Sequence, residues 1–242
     1  MSKRAVILAG GKGTRLRPYT LVLPKPLMPI GDFPILEVVI RQLAVAGFSH
    51  VTMAVNHQAE IIKAFFQNGE RWGLHIDYTM ENEPLGTMGP LRLINDLPEN
   101  FLVMNGDILT DLDYSKFYES HCQTTAPFTI SSKVREQRND YGVLDVGGDG
   151  VLTGFREKPI DKFQVSMGVY MINRETVSLI PAGMEYGFDS LMLKLIARGM
   201  PANVIPFDGY WLDIGRPDDY EKAIDVFETQ RARFLPDQSI KG

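Results

Sequence analysis

The sequence predicts an α/β fold, with a mostly parallel central sheet flanked by helices and a β-rich insertion in the second half. Three observations carry this expectation. Short apolar runs alternate with helix-period segments through residue 107, a βαβα rhythm that covers both faces of a parallel sheet. Beyond residue 127, strand-like runs follow one another with few helices between them. No repeat, low-complexity stretch or linker interrupts the chain, so one domain over 1–234 with a short tail over 235–242 is the economical organisation.

The elements follow in order. "AVILA" (5–9) is an apolar run ended by glycines, a buried strand. "PILEVVIRQLAVAGF" (34–48) is a helix with proline at its start and glycine near its stop. "HVTMAVN" (50–56) is a strand, "QAEIIKAFFQNG" (58–69) a helix ended by Asn-Gly, and "LHIDYTME" (74–81) a strand. "TMGPLRLINDL" (87–97) reads as a helix if its Gly-Pro lies in the first turn. "FLVMNGD" (101–107) is a buried strand ending in a carboxylate. Strands follow over 127–134, 141–146, 151–158 and 165–173, with "VGGDGV" as a hairpin turn. A helix over 190–199, a strand over 202–207 and a terminal helix over 217–234 complete the set.

Composition narrows the function classes. Hydrophobic residues make up 44% and charged residues 23%, an ordinary balance for a soluble protein. A net charge of −5 disfavours a nucleic-acid binder, which needs a basic face. Cys122 is the only cysteine, so neither an intrachain disulfide nor a cysteine metal cluster is available. The N-terminus reaches glycine too early for a signal peptide, and no run approaches the roughly 20 apolar residues of a membrane span. A reducing cytoplasmic setting is the expectation. His50, His57, His75 and His121 show no metal-ligand spacing and read as structural or surface residues. The sequence leaves a homo-oligomer open.

The chemistry begins at "ILAGGKGTRLRPYTLVLPKPLMP" (7–29). Gly10, Gly11 and Gly13 follow the first strand, where ligands bind in open α/β sheets, and glycines there let backbone N–H groups approach phosphate oxygens. Lys12, Arg15, Arg17 and Lys25 add positive charge. A Rossmann fingerprint fails because Leu16 stands where its third glycine belongs, and a P-loop fails because Gly13 follows Gly11-Lys12. Pro18, Pro24, Pro26 and Pro29 should hold the segment extended, a stiff solvent-facing arm that aims Lys25 at phosphate. The competing reading is a plain glycine turn.

Two aspartates close apolar segments, Asp107 after "FLVMNG" and Asp213 after "YWL". Mg²⁺ takes one or two carboxylates together with substrate phosphates, so the pair suits Mg²⁺; each alone reads equally as a turn residue or helix cap. In "FREKP" (155–159), Lys158 suits a phosphate and Glu157 a hydroxyl; a surface ion pair is the plainer reading.

These residues carry a resemblance. "LAGGKGTRLRPYTLVLPKPLMPI", "EPLGTMGPL" (83–91), "NGDILTD" (105–111), "YGV" (141–143), "EKP" (157–159), "MGVY" (167–170) and "WLDIGRPDDY" (211–220) are similar, in this order, to the motifs of the sugar-1-phosphate nucleotidyltransferases. The resemblance implies a Rossmann-like, glycosyltransferase-A type domain with Mg²⁺ as cofactor. NTP and sugar 1-phosphate would be its substrates, giving NDP-sugar and pyrophosphate. It implies that Leu8, Ala9, Gly10, Gly11, Gly13, Thr14, Gly86 and Thr87 cradle the nucleotide and that Arg15 and Lys25 hold its phosphates. Asp107 and Asp213 would hold Mg²⁺; Gly142, Glu157 and Lys158 would bind the sugar phosphate, with Gly168 near the sugar. Members with β-helix extensions are longer, so the chain reads as a catalytic unit alone.

Motif detail is closest to mannose-1-phosphate guanylyltransferases and related bacterial guanylyl enzymes, although "MGVY" departs from the mannose pattern. Glu81 lies where thymidylyl members carry a base-reading Gln. A carboxylate only accepts hydrogen bonds, which suits the two adjacent donors of guanine and favours GTP. Glu83 is the alternative reader, and "NGDILTD" keeps UTP open. A noncatalytic nucleotide-sugar sensor is the competing class, and the joint presence of Lys25, Asp107, Lys158 and Asp213 favours an enzyme. A nicotinamide-dependent dehydrogenase would need the missing GxGxxG and the helix after it.

Overall fold

The structure, a computed structural model, describes residues 2–200 and 202–235. Seven strands form one sheet: β1 (Lys3–Leu8), β2 (Phe48–Val55), β3 (His75–Met80), β4 (Asn100–Asn105), β5 (Phe128–Arg138), β6 (Ile160–Asn173) and β7 (Ala202–Pro206). Their order across the sheet is β7–β5–β6–β4–β1–β2–β3. Only β6 runs antiparallel to its neighbours; β4, β1, β2 and β3 are mutually parallel, as β5 and β7 are to each other. This is the mostly parallel sheet that the alternating elements predict, in the Rossmann-like form that the resemblance implies.

The core explains the unbroken apolar runs. Along β1, Ala5 and Ile7 face one layer, with Leu36, Val39, Ile40 and Leu43 of the helix Ile35–Val45. Val6 faces the other layer, with Phe101, Phe128, Tyr170 and Leu191. A strand buried on both faces needs apolar residues at every position rather than at every second one. Pro34 caps the first helix, which carries buried residues along Ile35–Ile40 and Leu43.

A third cluster positions the active loop. Leu16, Met28 and Ile30 pack with Ile214, Tyr220, Ala223, Phe227 and Phe234. Tyr220 Oη donates to the Pro29 carbonyl (2.6 Å). The proline-rich segment is therefore clamped under the C-terminal helices, and its geometry differs from the expected extended arm. Thr14–Leu16, Tyr19–Leu21 and Lys25–Leu27 are successive 3₁₀ turns, and Lys25, Pro26 and Leu27 are buried. A proline-fixed φ suits a 3₁₀ turn as well as an extended chain, and the third core selects the turn.

Other expectations are corrected. The helix expected over 87–97 is only the 3₁₀ segment Gly89–Leu93, at whose start the Tyr186 carbonyl takes the Met88 and Gly89 N–H groups (2.9 and 3.2 Å). An unexpected helix spans Tyr114–Cys122 and is capped by Asp113, whose Oδ1 accepts from Lys116 N (3.0 Å). The terminal helix breaks at Gln230 into Pro217–Thr229 and Arg231–Phe234. β4 ends at Asn105, two residues before Asp107. Apart from Leu235, the expected tail lies outside the described residues.

The β-rich half is an arm. β5 and β6 pair from Ile172–Phe128 out to Ile160–Arg138, with a register shift between Ser166 and Tyr170. Between them Val143–Val146 and Leu152–Arg156 form a hairpin closed at Gly147–Val151, as "VGGDGV" predicts. No described helix is long and apolar enough to cross a membrane.

Candidate active site

The carboxyl ends of four parallel strands meet at one cleft of about 320 Å³. Leu8, Ala9, Gly10 and Gly11 enter it after β1, Asn56 after β2, Glu81 after β3, and Asn105, Gly106 and Asp107 at the end of β4. Gly86 and Thr87 line the cleft as well. Thr87 Oγ1 accepts from Phe188 N (2.8 Å), so this hydroxyl also caps the helix Phe188–Ala197. Nothing lies within 4 Å of where a Gly11 side chain would begin, which leaves its backbone open to a ligand.

Glu81 is buried in this wall. Its Oε2 accepts from Leu85 N (3.1 Å), and its Oε1 would lie 2.8 Å from a Cβ at Gly10. Burial pushes its pKa above the ordinary carboxylate value, and the Leu85 N–H pulls the other way. Glu83 is exposed and does not line the cleft.

Asp107 and Asp213 converge through a small ribbon. Ile108–Thr110 pairs antiparallel with Trp211–Asp213, placing Asp213 opposite Ile108, and Ile214 N donates to the Asp107 carbonyl (3.1 Å). Lys25 Nζ makes a short ion pair with Asp107 Oδ2. The other oxygen, Asp107 Oδ1, is buried without a hydrogen-bond partner among the described residues. Such an atom is costly unless something binds it. Partial withdrawal from water, and then the Asp107 charge, raise the Asp213 pKa; Lys25 and Arg15 oppose this. Two close carboxylates, one with an orphaned buried oxygen, fit a hard divalent cation such as Mg²⁺.

Gly13 fixes the loop against this group. It has φ +58°, and a Cβ there would meet Thr20 Cγ2 at 2.9 Å and Lys25 Cβ at 3.1 Å. Thr20 Oγ1 donates to its carbonyl (2.8 Å).

A second cleft of about 400 Å³ has Asp213 in its lining. Arg15, Lys133, Arg135 and Arg216 line it, opposed by Asp213 and Asp219. Lys133 Nζ is committed to the Asp208 and Gly209 carbonyls (2.8 and 2.7 Å). Arg15 therefore belongs to this basic cleft rather than to the glycine-lined one, while Thr14 is exposed and lines neither.

The remaining expected residues lie on the arm. A Cβ at Gly142 would touch the Phe155 ring at 2.6 Å and Glu157 Oε2 at 3.2 Å, so Gly142 and Glu157 are neighbours. Lys158 takes φ +43° at the turn into β6. All three are exposed and line neither cleft. Gly168 sits at the register shift in β6 with φ +74°, where a Cβ would meet Asn105 Nδ2 at 2.7 Å; only glycine lets the bulge lie against the cleft floor.

Comparison with known proteins agrees with this geometry. A family model described as Nucleotidyl transferase matches residues 4–230. The chain belongs to this family of sugar-1-phosphate nucleotidyltransferases. It is 35% identical over 250 residues to the mannose-1-phosphate guanyltransferase of Yarrowia lipolytica, covering 98% of this chain and 67% of that protein. It is 34% identical over 241 residues to the UTP–glucose-1-phosphate uridylyltransferase of Synechocystis, covering 91% and 62% respectively. The nucleotidyltransferase chain thus spans about two-thirds of the length of these relatives. Among solved structures, HddC from Yersinia pseudotuberculosis superposes with a TM-score of 0.70 at 29% identity, covering 93% of this chain and 99% of that one. HddC has also been solved complexed with GMP-PN. A Bacillus anthracis protein assigned as a glucose-1-phosphate thymidylyltransferase shares the fold, with a TM-score of 0.75 at 19% identity.

Several lining residues had no signal in the sequence. Asn56 follows an ordinary strand, and Arg135 and Arg216 look like surface charges until β5 and the 211–213 ribbon bring them together. Asn105 was legible within "NGD" but carried no assigned role.

Proposed function

We propose that the chain transfers a nucleotidyl group from an NTP, with GTP favoured, to a sugar 1-phosphate, releasing pyrophosphate. The observation that carries this reading is the junction of Lys25, Asp107, Asp213 and Arg15 between a glycine-lined cleft and a basic one.

The glycine-lined cleft holds the nucleoside and the basic cleft receives phosphate. A sugar phosphate oxygen forms a bond to the α-phosphorus as the bond from that phosphorus to the bridging oxygen breaks, and the electron pair leaves with pyrophosphate. The nucleophile is already ionised at neutral pH, so no general base is required. Both reactants are anions, and the task of the protein is to position them in line and offset their repulsion. Lys25 and Arg15 supply fixed positive charge. Asp107 and Asp213 would hold Mg²⁺, which neutralises phosphate charge when bound. Gly142, Glu157 and Lys158 line neither cleft as they stand; on this reading the arm that carries them supplies the sugar-phosphate side, with Gly168 at the cleft floor.

Glu81 supports the guanine preference. An acceptor-only carboxylate in the cleft wall, beside Gly10, suits guanine N1–H and its exocyclic amine. The likeness to a guanyltransferase, and to a protein solved with GMP-PN, points the same way. The likeness to a uridylyltransferase supports UTP as the second reading. A matrix of NTPs against sugar 1-phosphates with pyrophosphate detection tests both. Turnover of GTP at least tenfold above UTP and dTTP is expected, faster UTP or dTTP overturns the base assignment, and no pyrophosphate with any pair overturns the activity.

A further inference from the structure

The opposite end of the sheet holds a cluster that the reaction does not use. His50 in β2 and His75 at the start of β3 are direct partners in register, and Thr52 pairs with Asp77 two residues further on. His50, His75 and Asp77 therefore share one face, although 25 residues separate the two histidines in sequence. One ligand atom from each lies within 4.8 Å of the others. The rings stand with centroids 4.7 Å apart, and His50 Nε2 is 2.9 Å from Asp77 Oδ2. Asp77 Oδ1 is buried and has no hydrogen-bond partner among the described residues. His75 is exposed, which leaves an entry path.

We infer that His50, His75 and Asp77 form a binding site for a borderline transition-metal dication such as Zn²⁺, Co²⁺ or Ni²⁺. Two imidazoles and a carboxylate suit these ions and not Mg²⁺. A tetrahedral ion with bonds of about 2.0–2.1 Å needs ligand atoms about 3.3 Å apart, so the pair at 2.9 Å opens slightly and the wider contacts close. Arg4 is the main opposing charge, since its Nη2 lies 3.4 Å from Asp77 Oδ2. Its guanidinium is held as well by Asp96 Oδ2 (2.9 Å) and Thr52 Oγ1 (2.7 Å), so the longer contact to Asp77 Oδ2 is the one that yields to an ion. Six residues of strand, about 20 Å, separate His75 from Glu81 at the cleft. The ion would staple the edge strand β3 to β2 and leave a coordination position for water.

The test uses untagged full-length protein stripped with chelator and titrated with Co²⁺. Visible absorption bands of a nitrogen- and oxygen-ligated four-coordinate ion, a 1:1 stoichiometry and displacement by Zn²⁺ but not by millimolar Mg²⁺ are expected. His75→Ala, a change at an exposed position, should weaken binding at least tenfold, while Asp213→Asn should leave these bands intact. Binding that survives His75→Ala, or bands lost in Asp213→Asn, places the ion elsewhere and overturns the proposal. Absence of the bands at 100 µM Co²⁺ also overturns it.

Discussion

Lys25 and Asp107, 82 residues apart, form an ion pair that leaves Asp107 Oδ1 buried and unpartnered. The lysine of the proline-rich loop is thus part of the site floor rather than the tip of a solvent-facing arm. Its removal should cost stability as well as turnover. Breaking a buried pair costs about 3–5 kcal/mol, and partial exposure of Asp107 lowers this to about 1–3 kcal/mol. Lys25→Met should lower both the urea midpoint and kcat, the latter at least 100-fold. Lys25→Met/Asp107→Asn should regain stability without regaining activity. Wild-type turnover in the single variant would sink the assigned role.

Asp213 lies beside a like charge, and its raised pKa carries a definite sign. A carboxyl with a folded pKa above its unfolded one stabilises only when protonated, and that contribution is lost as pH rises through the folded value. At pH 7, without divalent cations, its charge works against the fold. Asp213→Asn should therefore melt above wild type in EDTA, while pyrophosphate release falls at least 100-fold. A lower melting temperature in EDTA would contradict the crowding of the two carboxylates.

Glu81→Gln keeps an oxygen for the Leu85 N–H and introduces a donor toward the base. Its kcat/KM for GTP should fall about 10- to 100-fold, the scale of one mismatched buried hydrogen bond. The ratio of UTP or dTTP turnover to GTP turnover should rise. An unchanged ratio across the NTP series would remove Glu81 from base recognition.

His121 is buried between Thr129 Oγ1 (2.7 Å) and Asn100 Oδ1 (3.1 Å), and burial lowers its pKa below 6.5. A histidine with a depressed folded pKa contributes stability above its unfolded value, and that contribution is lost as pH falls through the folded one. The urea midpoint should drop between pH 7 and pH 5. His121→Gln, which can still bond both partners, should flatten that slope. An equal slope in the variant would assign the acid sensitivity to other groups.

The repeating elements were readable because their signals are local. Doubly buried strands are apolar at every position, as in Ala5–Val6–Ile7, and Pro34 marks a helix start. The helix Tyr114–Cys122 was missed although its signals are local: Asp113 is a cap, and Tyr114, Phe117 and His121 fall on one face. The Gly89 segment was not readable: its first N–H groups bond to a distant carbonyl, that of Tyr186, a contact with no local signal in the sequence.

The sequence by itself determined the βαβα order, the glycine loop at the end of β1 and the set of charged side chains available for phosphate. Each depends on composition or spacing within a few residues. Only the tertiary structure decided that Lys25 meets Asp107, that Asp213 joins them through the 211–213 ribbon, and that Glu81 rather than Glu83 lines the cleft. It also decided that Arg15 faces a different cleft, and that His50 and His75 stand side by side at the far end of the sheet. Strand pairing and the clamp of the C-terminal helices set these contacts, and both act between residues whose separation along the chain carries no signal of their proximity in space.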